Sequence, residues 1–166
     1  MNELAARRFK AYARDCIGYA AIAAATAPLG VAMRNAGRGR SRAFVLAVSA
    51  VPPILATLRA ARQESTSGAT EGKRHYGLHV TNPHHGVPSF GRALIRNAIK
   101  IGIPWQTGHV VAVGAAFGGF ERRDPLTVSA AAVTYPMIGV LAAGVAVGSG
   151  RGIHDRAART RVRSVR

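Results

Sequence analysis

The chain has 166 residues, room for one domain, and 48% of them are hydrophobic but only 6% aromatic. Its 23 Lys and Arg face 7 Asp and Glu, a net charge of +16, which first suggests nucleic acid or an anionic membrane surface as partner. The cations, however, gather at the flanks of uncharged apolar runs instead of spreading with aromatics over one face, so the pattern argues against nucleic acid and for a bilayer. A single cysteine, Cys16, excludes an internal disulfide framework.

Residues 1–15 carry Arg7, Arg8, Lys10 and Arg14 and lead into the first apolar run, residues 16–33. The Arg7 and Arg8 pair is faintly like a secretory or twin-arginine signal. Pro28 would sit badly beside a cut and the later apolar runs would go unexplained, so a retained helix is expected. Arg34, Arg38, Arg40 and Arg42 mark a short connection to the second run, residues 43–58, which is barely long enough to span and carries Pro52 and Pro53.

Residues 59–100 form the longest polar stretch. Residues 63–72 read as loop, and Leu78, His79 and Val80 as a strand. The turn 82–86 and Val87 suggest a small β-hairpin. Ser89 is a suitable N-cap for a helix whose Phe90, Leu94, Ile95, Ala98 and Ile99 make an apolar face beside a basic stripe, Arg92, Arg96 and Lys100. Such a helix either lies in the headgroup layer, its stripe facing lipid phosphates, or packs on its own bundle.

The third run, residues 101–120, holds Pro104, Gln106, Thr107 and His109 and reads as a full, broken or re-entrant span; the fourth, residues 126–149, is the clearest. The expected fold is an all-α membrane bundle of about four transmembrane helices, with the hairpin and the interfacial helix in the loop 59–100. With four spans, the termini and that loop share one side with 17 of the Lys and Arg, against 6 on the other. The positive-inside rule then expects both termini in the cytoplasm of a multi-pass cell-membrane protein.

Three local patterns resemble those of the RDD family, small membrane proteins found mainly in bacteria. Arg8, Ala11, Tyr12 and Asp15 are similar to the motif that opens the family's first helix. Gly68, Thr70, Gly72, Lys73, Gly77, Leu78 and Val80 resemble its loop motif, and Ile153, His154, Asp155, Ala158, Thr160 and Val162 its terminal one. Pro104, Trp105 and His109 look like a stretch found in a subset of the family. Departures are His79 for Arg, Ile153 for Leu, and Arg159 for Gly at a tight turn. The resemblance implies an architecture and a suspected transport role, but little chemistry.

Asp15 and Asp155 fall at the same ends of the first and last helices. They read either as a cation- or proton-binding pair or as salt bridges, with cations such as Arg8, holding those helices together. His109 reads as a proton relay or as a neutral histidine bonded to a neighbouring backbone. His75, His79, His84 and His85 invite a metal reading, but their spacing suits no standard site. No nucleophile–base pair, cofactor site or paired catalytic acids appear, so no enzyme is expected. The leading expectation is a transporter-like or transport-accessory protein for small ions, working as a homo-oligomer or with a membrane-protein partner. The alternative is a scaffold or regulator binding a partner or anionic lipid headgroups through the basic region 72–100.

Overall fold

The computed structural model describes residues 3–147 and 151–165. Helix α1 runs Glu3–Asn35, with acidic Glu3 in its first turn and Arg34 in its last, each complementing the helix dipole. A short 3₁₀ turn leads to α2, Arg42–Ser49, where the Ser41 hydroxyl accepts from Phe44 N–H. The chain breaks at Ala50 and restarts as α3, Val51–Ser67. Pro52 and Pro53 occupy the first turn of α3, where no intrahelical N–H is required. Ala50 itself stays right-handed helical, so α2 and α3 make one helical stretch interrupted beside the prolines, where the sequence suggested a kink.

The stretch 63–72, expected as loop, is helical as far as Ser67. Ser65, Thr66 and Ser67 turn their hydroxyls back onto the carbonyls of Arg62 and Gln63, so residues with poor helix propensity leave no polar group stranded. Gly68, with φ of 70°, ends the helix in the left-handed conformation.

After α4, Glu71–His75, comes β1, Leu78–Thr81. Helix α5, Phe90–Asn97, continues through a π-helical segment, Ala98–Gly102, into α6, Ile103–Ala116. Helix α7, Pro125–Ala146, is capped by the Asp124 carboxylate, which accepts from Thr127 N–H. The last two residues of the expected fourth run lie outside the described residues. Short α8, Ile153–Ala157, and β2, Arg161–Ser164, follow.

The expected local hairpin is absent among the described residues. β1 pairs antiparallel with β2, Leu78 opposite Ser164 and Val80 opposite Val162. Val162 alternates with exposed Arg161 and Arg163, whereas Val87 is cut off by Pro88 and stays 48% exposed. Leu78, Val80 and Val162 pack with Ala11 of α1 into a small core. A second core joins Tyr19, Ala56, Ala60 and Ile101.

Among the described residues three helical stretches are long and apolar enough to cross a bilayer: α1, α2 with α3, and α7. Their most apolar windows are 0%, 22% and 11% buried within the protein, so their apolar side chains face outward, as a lipid solvent requires. Helix α6, at 14 residues, is shorter than these. It packs against α7 through Gly114, where a side chain would clash with Thr127.

Candidate functional site: a buried chain of charges

The stripe that directs α3 into the protein is Pro53, Ala56, Thr57, Ala60, Ala61 and Glu64, at intervals of three and four residues. It ends in a carboxylate with no exposed surface. Glu64 Oε1 accepts from Lys73 Nζ at 2.8 Å and Arg96 Nη1 at 2.5 Å, and its Oε2 from Asn97 Nδ2 at 2.8 Å. Arg96, 1% exposed, also reaches Asp155 Oδ1 through Nε at 2.9 Å. Asp155 Oδ2 accepts from Arg8 Nη2 at 2.6 Å and from Gly152 N–H at 3.1 Å.

At the other end of this chain, Lys73 lies 4.0 Å from Asp15. Asp15 accepts from the Thr70 hydroxyl at 2.6 Å and from Gly72 N–H at 2.8 Å. Gly72 must be glycine, because a Cβ there would clash with the Ala11 carbonyl and crowd the Asp15 carboxylate. The loop motif thus wraps Asp15, and each oxygen of Asp15, Glu64 and Asp155 has a partner. Taking these charges out of water is offset only because the pairs and their hydrogen bonds are complete.

Burial alone would raise the Asp155 carboxyl, but the Arg96 and Arg8 guanidiniums outweigh it and hold the group well below the carboxylate range. Arg96 is desolvated too, yet Glu64 and Asp155 hold it above its ordinary value. Burial, with Arg96 beside it, pushes His154 down to about 3, so its imidazole is neutral.

The residues expected from the sequence fall as follows. Arg8, Asp15, Lys73 and Asp155 meet in the chain of charges, and Gly77, with φ of 58°, turns the backbone into β1. The basic stripe does not face lipid as one surface. Arg96 points inward to its carboxylates and Lys100 lies over the Tyr12 ring at 4.6 Å, while Arg92 is half-buried. Of the two packings the sequence left open for α5, burial of its apolar face on the bundle is not the one seen: Ala93, Arg96 and Asn97 are buried, and Phe90 and Ile95 are 47% and 49% exposed. Ser89 stands at the N-cap position without a side-chain cap bond.

His109 Nδ1 stands 2.8 Å from the Ser49 carbonyl, and its Nε2 accepts from Trp105 Nε1 at 3.2 Å. Pro53 lacks the N–H that would bond that carbonyl in a continuous helix, and the Nδ1–H tautomer of His109 supplies the donor. Among the described residues no three His, Cys, Asp or Glu side chains gather as metal ligands. Glu64 was hidden by the loop reading of its segment; its signal was the small-residue stripe carried one helical step further.

The family model described as RDD family matches residues 4–159, nearly the whole chain. No curated protein and no solved structure matches it.

Proposed function

The chain belongs to the RDD family, and from that premise we propose that it is a multi-pass protein of the cell membrane, a transporter-like or transport-accessory component for small ions. In this reading it crosses four times with both termini cytoplasmic. The third crossing in chain order is residues 98–116, the π-helical segment with α6, on the order of 28 Å of helix. The charge asymmetry of 17 to 6 supports the orientation. Four short crossings leave little room for a pathway in one chain, so the working unit is a homo-oligomer or a complex with another membrane protein.

The observation that carries the proposal is the alternation of the buried chain, from Asp15 through Lys73, Glu64, Arg96 and Asp155 to Arg8. A proton or cation arriving at Asp15 competes with Lys73, whose ammonium is shared with Glu64. Shifting that ammonium re-weights the whole series and the helices it joins. Asp15→Asn tests this gently, because the amide oxygen still accepts from Gly72. In proteoliposomes carrying an internal pH dye, the variant is expected to insert normally and to lose the pH-dependent ion flux of the parent. Absence of flux in the parent, or unchanged flux in the variant, overturns the proposal.

A second reading, a scaffold binding a partner or anionic lipid through the basic region, is favoured by exposed Phe90 and Ile95 near Arg92. Arg92→Glu tests it without disturbing the buried pairs. Loss of vesicle or partner binding with flux intact would select it.

A further inference from the structure

A cavity of about 170 Å³ opens beside the chain of charges, between α1, the π-helical segment, α7 and α8. Its charged end holds Arg8, Lys73, Arg96, Lys100 and His154. Its apolar wall includes Ile138, Leu141, Ala142 and Val145 of α7, residues spaced as a single stripe along about 10 Å of helix. At the two ends of that stripe Ile138 is 49% exposed and Val145 9%. The space is open at the outward face of α7 and closes on the cations.

The charges at the closed end do not balance. Arg8, Lys73, Arg96 and Lys100 stand against Asp15, Glu64 and Asp155, and the three carboxylates are engaged by the first three cations. Among the described residues no carboxylate pairs with Lys100, whose ammonium rests on Tyr12 instead. His154, 3% exposed, lines the same cavity, and its Nδ1 is buried without a hydrogen-bond partner. A half-buried cation with no carboxylate in ion-pair contact and an unmet polar atom, at the end of an apolar groove, are complementary to an anionic headgroup followed by a hydrocarbon chain.

We infer that this cavity is a binding site for an anionic phospholipid of the surrounding bilayer, its phosphate against Lys100 and one acyl chain along the Ile138 to Val145 stripe of α7. Occupancy supplies Lys100 with its counter-ion and joins α7 to the charged end through a molecule of the membrane. The inference rests on membrane residence and on nothing about transport, so absence of ion flux leaves it standing.

The test uses the full chain in nanodiscs of phosphatidylcholine with and without phosphatidylglycerol, followed by detergent extraction and native mass spectrometry. The parent is expected to retain phosphatidylglycerol over phosphatidylcholine. Lys100→Gln should lower that retention roughly five-fold, the equivalent of about 1 kcal/mol for one cation at a lipid surface, and Lys100→Arg should restore it. Ala142→Phe, which fills the groove without touching the charges, should lose the lipid with Lys100 in place. Equal retention of both lipids, or unchanged retention in both Lys100→Gln and Ala142→Phe, overturns the inference. So does displacement of the lipid by inorganic phosphate alone, which would make the site one for a free anion.

Discussion

At one end of the molecule, three carboxylates and three cations, none more than 9% exposed, tie α1, α3, α4, α5 and α8 together. At the far end, Arg42 alone bridges to Asp124 at 2.7 Å and to Thr127 at 2.9 Å, with about 24% of the Arg42 and Asp124 side chains in contact with solvent. Both ends join helix termini through arginine and a carboxylate, but only one excludes water. In the dry cluster each charge is held by its partners, and losing one strands the others. In the wet pair, water takes over whatever a partner gives up.

Removing the centre of the dry cluster should have the largest effect. Glu64→Ala leaves Lys73 and Arg96 buried with too few anions, and a loss of about 3–5 kcal/mol is expected. It would be read as a collapse of the thermal transition in detergent by circular dichroism. A small shift would mean that water reaches the cluster and that the contrast between the ends is false.

Next comes acidification. With His154 at about 3 when folded against an ordinary 6.5, the unfolded chain binds the extra proton between those values. Stability is therefore full above pH 6.5 and falls with pH below it, by about 2 kcal/mol at pH 5. The carboxylates contribute only at lower pH, so the window from 6.5 to 5 isolates the histidine. His154→Gln should flatten the pH dependence of the melting temperature there; an unchanged slope would place its source elsewhere.

Arg159 holds a left-handed backbone, with φ of 52°, where the RDD motif has glycine. Arg159→Gly should raise stability by about 1 kcal/mol in the same melting assay. This sharpens the picture of the dry end, because the strain sits in the turn that brings β2 to β1. Arg42→Ala at the wet end should give the smallest effect, a transition indistinguishable from the parent's. A clear loss there would erase the distinction.

The sequence made legible those features that depend on short range. Uncharged length revealed the apolar helices, and the family resemblance of the loop motif drew attention to Gly72 and Lys73. The features it hid depend on partners distant in the chain. The face that α5 buries is decided by Glu64 and Asp155, 32 and 59 residues away in the two bonds they make to Arg96, and an amphipathic pattern read alone turns its apolar side inward. β1 likewise finds its partner in the tail, because pairing depends on which strand can bury a valine beside Leu78, not on which lies nearest. Glu64 was obscured by hydroxyl residues whose back-bonding keeps the helix intact.

The pairing of β1 with β2, and of Arg96 with Asp155, also has a consequence in time. Synthesis runs from the amino terminus at about 5–20 residues per second, so Arg96 is made roughly 3–12 s before Asp155. During that interval Glu64 is the one buried carboxylate available to Arg96, and β1 presents an unpaired edge. Arg8 waits longer still for Asp155. A piece made after α7 thus closes onto α1, and a nascent chain halted within α7 would carry all four cations of the cavity but, of the cluster's carboxylates, Asp15 and Glu64 alone.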